Sequence, residues 1–134
     1  MTNNNLTVLI IDDDEVAAEI IQKFVHHKMP TANIEWCWNG YEALVRVEQL
    51  NPDLIFLDYM MPKLDGMSFL RGLKQLESAS MRHVAIISAF VDDRKKQDFM
   101  DLGANFVLAK PISVDQIHQV LDKVVRSLKP QKKI

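Results

Sequence analysis

Short apolar runs and stretches of helical period alternate along the chain. Runs at residues 8–11, 54–57, 84–87 and 106–109 have the length and unbroken hydrophobicity of strands buried on both faces of a sheet. A weaker run spans 34–38, with Ile34, Trp36 and Trp38 on one face and Glu35 and Cys37 on the other, as in a half-exposed edge strand. Between the runs, apolar residues recur at helical spacing: Val16, Ile20, Phe24 with Ala17, Ile21, Val25; then Tyr41, Leu44, Val45, Val47; then Met67, Leu70, Leu73. The last stretch is the clearest. Val114, Ile117, Val120, Leu121, Val124, Val125 and Leu128 form one stripe along an amphipathic helix. The helix after Val91 is the least marked, because residues 92–98 are all polar and only Phe99, Met100 and Leu102 can anchor it.

Punctuation supports this parse. Pro30 stops the first helix, Pro52 closes the second, Gly103 ends the fourth, and Pro111 with Ser113 as N-cap opens the last. Strand and helix therefore alternate five times. Strands joined by crossover helices run parallel with right-handed connections, so the expected fold is α/β, an open five-stranded parallel sheet with helices on both faces. At 134 residues the chain has the size of one domain, with no repeats or internal linkers.

Composition narrows the function classes. Hydrophobic residues make up 48% and charged residues 25%, values of a globular domain rather than a disordered tail or a rod. The single cysteine, Cys37, excludes an internal disulfide and a multi-thiolate zinc site, and the polar start at residues 1–5 lacks the pattern of a signal peptide, so a cytoplasmic setting is expected. No apolar stretch approaches the roughly 20 residues needed to span a bilayer. A formal charge of −2, with a small basic cluster at Lys129, Lys132 and Lys133, argues against direct nucleic-acid binding.

In an open parallel sheet, ligands bind beyond the carboxyl ends of the strands. At that edge the first run ends in Asp12, Asp13 and Asp14, the third in Asp58, the fourth in Ser88 and the fifth in Lys110. One such residue alone would read as a turn or cap; four strands releasing polar groups at one edge read as a site. Three carboxylates brought together would either hold a proton or recruit a cation, and oxygen donors without Cys or His favour Mg²⁺. A divalent ion and the Lys110 ammonium cancel that charge. The neutral site then has capacity for a phosphoryl group, and a carboxylate is a competent nucleophile toward phosphorus. Spacing alone leaves open which of Asp12, Asp13 and Asp14 would meet the ion.

With these residues in view, the sequence resembles the receiver domain of two-component response regulators, of the chemotaxis-regulator type, over about residues 6–128. The resemblance is carried by Ile10-Ile11-Asp12-Asp13-Asp14-Glu15, Asn39-Gly40-Tyr41-Glu42-Ala43-Leu44, Leu57-Asp58-Tyr59-Met60-Met61-Pro62 with Asp65-Gly66, Ile86-Ile87-Ser88-Ala89, and Gly103-Ala104 leading to Lys110-Pro111. It implies a flavodoxin-like strand order 2-1-3-4-5, with 129–134 as a tail or the start of a linker. It further implies that Asp58 is the phosphoacceptor, that Asp12, Asp13 and Asp58 bind Mg²⁺ with the Met60 backbone carbonyl, that Ser88 moves toward the phosphoryl group, that Ala89 leaves access, and that Lys110 is aimed inward by a Lys110-Pro111 bond often cis in this family. The expected partners are a sensor histidine kinase or phosphotransfer protein and an unknown downstream protein, with the chain a monomer or a phosphorylation-dependent dimer. Its only chemistry would be Mg²⁺-dependent uptake of a phosphoryl group and autodephosphorylation.

Two departures stand out. Ser88 occupies a place where threonine is commoner. Where the family usually has an inward-turning Tyr or Phe, three residues before the lysine, this chain has Val107; the adjacent Phe106 points to the other face unless the register slips. By the same resemblance, Met60 and Phe90, two residues after Asp58 and Ser88, are expected to flank the site and tune the attack of water; both are bulky and apolar here, which implies slow autodephosphorylation. Elsewhere, His26 and His27 read as solvated, His83 and His118 as solitary, Cys37 as a buried strand residue, Trp36 and Trp38 as core or edge packing, and Tyr41 as helix packing. Rival functions are a phosphatase or phosphotransferase, which lacks a second acid close after Asp58 and a cap insertion; a flavin or nucleotide carrier, which lacks a glycine-rich phosphate loop; and a pseudo-receiver acting without phosphate.

Overall fold

The structure is a computed structural model and describes residues 5–59, 66–76 and 82–128. Strands β1 (Thr7–Ile11), β2 (Asn33–Cys37), β3 (Leu54–Asp58), β4 (His83–Ser88) and β5 (Phe106–Ala109) alternate with helices α1 (Glu15–Lys28), α2 (Gly40–Leu50), α3 (Gly66–Gln75), α4 (Asp93–Asp101) and α5 (Val114–Leu128). All pairings are parallel, in the order β2-β1-β3-β4-β5. This is the flavodoxin-like order, and the switch in direction falls between β1 and β3.

Successive residues of a strand face opposite sides, so the unbroken apolar runs supply two cores at once. Val8 and Ile10 of β1, Leu54 and Phe56 of β3, and Ala85 and Ile87 of β4 pack under α1 and α5. Leu9, Ile11, Ile55, Leu57, Val84 and Ile86 face the other way, under α2, α3 and α4. The α5 stripe buries Ile117, Val120, Leu121 and Val124. α4 is the short, polar helix the pattern foresees: Phe99 is its one fully buried anchor, and the Asp92 side chain caps it by accepting from the Lys95 N–H at 2.7 Å.

Helix ends follow local chemistry. Asp14 and Asn39 cap α1 and α2 through their side-chain oxygens, and Ser113 and Gln116 cap α5 reciprocally, each side chain accepting from the other's backbone N–H. α2 closes at Asn51 in the left-handed region, before Pro52, and α4 at Gly103 with φ +109°.

Some faces differ from the sequence reading. In α1 the buried stripe is Ala18, Ile21 and Val25, while Val16 and Ile20 are exposed. In α2 the stripe is Ala43 and Val47; Tyr41 stands two residues before Ala43, about 200° around the helix, and is 92% exposed. β2 ends at Cys37, leaving Trp38 exposed beyond the strand with its ring 5.6 Å from that of Trp36, whereas Cys37 is buried as expected. His118 and His27 are not isolated: their rings stack at 5.4 Å between α5 and α1, and His118 Nε2 lies 3.2 Å from the Phe24 carbonyl oxygen. Among the described residues no helix is long and apolar enough to cross a membrane.

Candidate functional site: an acidic pocket at the strand ends

Among the described residues, the polar side chains buried in the protein are Asp12, Asp58 and Ser88. All three sit where a strand reaches the same edge of the sheet: Asp58 and Ser88 end β3 and β4, and Asp12 follows the last residue of β1. Such burial is costly unless the groups serve one another or a ligand.

The carboxylates of Asp12, Asp13 and Asp58 converge, with one oxygen from each lying within 4.8 Å of the others. Asp13 forms the exposed rim and the other two form the floor. Asp14 takes no part in this cluster. Its carboxylate accepts from the Val16 N–H at 3.0 Å as the α1 cap, which separates the roles of three consecutive acids. From β5, Lys110 reaches across β4 and sets its Nζ 3.3 Å from Asp58 Oδ1 and 3.4 Å from Oδ2. The Lys110 N–H extends the ladder by donating to the Ser88 carbonyl at 2.9 Å, and the Lys110-Pro111 peptide is cis.

Burial pushes the Asp12 carboxyl up to about 7, and the neighbouring Asp58 adds to the rise; the Asp14 N–H, 2.9 Å from Asp12 Oδ1, and Lys110 pull the other way. A pocket that resists its own ionisation is one a hard divalent cation would relieve. Three carboxylates without sulfur or imidazole suit Mg²⁺, so the residues present fit that ion. Met60, expected to add a backbone carbonyl, lies outside the described residues.

The Ser88 hydroxyl is engaged with its own loop, donating to the Phe90 carbonyl at 3.1 Å, with the Phe90 N–H 3.3 Å from the same oxygen. Ala89 is exposed beside it, Phe90 is 78% exposed, and Pro111 is exposed on the facing loop. The β5 register has not slipped: Val107 pairs with Ile86 and faces α4, while Phe106 pairs with Ala85 and packs on the α1–α5 side, its ring 6.4 Å from that of His83. The two candidate switch positions therefore lie on opposite faces of the sheet.

Two features escaped the sequence reading. The Trp36 indole donates to the Asp12 carbonyl at 2.7 Å. Tyr59, next to Asp58, meets Phe99 edge-on with ring centroids 4.9 Å apart and has the Lys95 ammonium 5.2 Å over its ring. Spacing could pair β2 with β1, but it carries no sign of which polar group a side chain beyond the ladder would reach.

This sheet order, with acids gathered at the carboxyl edge, defines a flavodoxin-like α/β fold with a candidate cation pocket. Residues 8–122 match the profile of the response regulator receiver domain, and the chain belongs to that family. An uncharacterized response regulatory protein of Yersinia pestis is 27% identical over 123 residues, which are 92% of this chain and 50% of that protein; the chain thus spans about half its length. The Francisella response regulator 1452 receiver domain is 30% identical with a TM-score of 0.83, covering 93% of this chain and all of that one. A signal receiver domain from Bermanella marisrubri is 29% identical with a TM-score of 0.79, covering 91% of this chain and 99% of that one. Receiver domains are signalling domains rather than classical enzymes; they switch by phosphorylation, interact with histidine kinases or phosphotransfer proteins, and generally use Mg²⁺ at an acidic pocket.

Proposed function

We propose that this chain is a phosphoryl-accepting switch, a single receiver domain with its core at about residues 6–128, in which Asp58 takes the phosphoryl group from a histidine kinase or phosphotransfer protein. The observation that carries this reading is the buried Asp58 carboxylate spanned by the Lys110 ammonium beside two further acids. A carboxylate held only as a helix cap, like Asp14, would need neither neighbour.

In the transfer, an Asp58 oxygen attacks the phosphorus of a phosphohistidine. The P–O bond forms as the P–N bond breaks, and the leaving imidazole nitrogen keeps the electron pair and takes up a proton. Asp12, Asp13 and Asp58 would hold Mg²⁺, with the Met60 carbonyl as a further ligand; when bound, the ion supplies neutralising charge to the phosphoryl oxygens. Lys110, just past the end of β5, supplies a second cation across β4. Ala89, having no bulk, leaves the approach open. The Ser88 hydroxyl then exchanges the Phe90 carbonyl for a phosphoryl oxygen, which frees the loop leading into α4 and biases a two-state equilibrium read by a downstream protein.

Intact-protein mass measurement after incubation with Mg²⁺ and acetyl phosphate tests this. The expected result is one added phosphoryl group on the wild type and none on Asp58→Asn. Addition to both moves the acceptor elsewhere, and a folded, inert wild type supports the pseudo-receiver instead.

A further inference from the structure

The Asp12 peptide lies one residue past the end of β1, where the ladder no longer provides for all of its groups. Its N–H still donates to the Cys37 carbonyl at 3.1 Å, continuing the pairing with β2. Its carboxylate receives the Asp14 N–H, and its carbonyl receives the Trp36 indole N–H at 2.7 Å, the shortest of the three contacts. Because Trp36 pairs with Ile10, its ring lies on the α1 side of the sheet and reaches forward along β1 to the first residue beyond the strand. A side chain on an edge strand thus hydrogen-bonds the peptide that joins Asp12 to Asp13.

We propose that Trp36 is a positioning residue for the divalent-cation pocket. The indole N–H holds the Asp12 peptide in the orientation that brings the Asp12 and Asp13 carboxylates onto Asp58. This rests on the reading of these acids as the metal-binding set. Three acids must meet within a few ångströms against their mutual repulsion, so their affinity for a cation depends on how rigidly the turn that carries two of them is held. Phenylalanine would fill most of the same space and leave the carbonyl without its donor; a surface aromatic would have no such effect. Trp38, exposed beyond the strand and sharing a ring contact with Trp36, is the internal control.

Mn²⁺ and Mg²⁺ affinities of wild type, Trp36→Phe and Trp38→Phe, measured by calorimetry without any phosphodonor, test the proposal. Trp36→Phe should bind roughly three- to tenfold more weakly, the effect of one lost hydrogen bond, and Trp38→Phe should bind as the wild type does. In the Trp38→Phe background, replacing the remaining tryptophan by its benzothienyl analogue removes only the N–H and should reproduce the loss; this arm decides the matter if Trp36→Phe does not fold. In wild-type protein, ¹H–¹⁵N spectra should show the Trp36 indole resonance protected from exchange and moved by Mg²⁺. Equal affinity in the analogue and its parent, or a Trp36 indole that exchanges freely, overturns the proposal. A wild type that binds neither ion overturns instead the assignment of the pocket as a metal site.

Discussion

The Lys110 ammonium lies almost equidistant from the two carboxylate oxygens of Asp58, at 3.3 and 3.4 Å, although 52 residues separate them in sequence. Asp58 is buried and Lys110 partly exposed, so the pair is a charged floor with a solvated arm above it. Removing the cation leaves the acids of the pocket to repel one another. Lys110→Met should therefore slow phosphoryl uptake from acetyl phosphate by about a hundredfold, the usual order for loss of one charge-stabilising group. Single-turnover mass measurement at saturating Mg²⁺ checks this, and an unchanged rate would remove Lys110 from the chemistry.

The raised Asp12 carboxyl ties stability to pH. Its ordinary value is 3.8 and its value in the folded protein is about 7, so between these the unfolded chain loses the proton first and the folded state keeps it. The resulting stabilisation is complete below about pH 4, is lost as pH rises toward 7 and is absent above that, amounting at most to about 4 kcal/mol. Asp12→Asn should become progressively more stable relative to the wild type across that window in denaturant titrations without metal. The same proton competes with a cation, so Mg²⁺ affinity should rise with pH below 7 and level off above it.

α4 depends on few contacts. Phe99 is fully buried against Tyr59 and the sheet, while the other residues of the helix are polar except Met100, which is exposed. Phe99→Ala should cost about 3–5 kcal/mol by cavity formation. Amide hydrogen exchange should rise first in α4, before the α1 and α5 layer on the other face. Uniform loss of protection would show that α4 is not a separate unit.

The phosphoryl group on Asp58 should hydrolyse slowly. Phe90 is a large, exposed apolar residue two positions after Ser88, and its backbone holds the Ser88 hydroxyl, so its side chain is expected to cover the acyl phosphate against attacking water. Phe90→Glu should shorten the lifetime by offering water a polar path and a partner for its proton. Decay of the phosphorylated mass over time measures both proteins; a wild-type lifetime of seconds contradicts the prediction.

The five βα repeats were legible because each strand is buried on both faces and so must be continuously apolar, and because caps at Asp14, Asn39 and Ser113 are local chemistry. The site was legible in outline for a related reason. A parallel sheet forces polar residues that follow apolar strands to one edge, so Asp12, Asp58, Ser88 and Lys110 could be grouped before any distance was known. What the order of residues left open was everything set by rotation and reach. Tyr41 and Val16 turned outward because a helix stripe is centred by its packing partners, not by its hydrophobic residues alone.

Spacing left the three acids after β1 undivided; the tertiary structure makes Asp14 a cap and Asp12 a buried member of the pocket, and its register turns Val107 toward α4 and Phe106 toward the α1–α5 side. The link from Trp36 to the Asp12 carbonyl belongs to the same class. Local sequence specifies which groups a segment carries and how its backbone runs. Which of those groups touch is decided by strand order and register, and these are collective properties of the packed sheet.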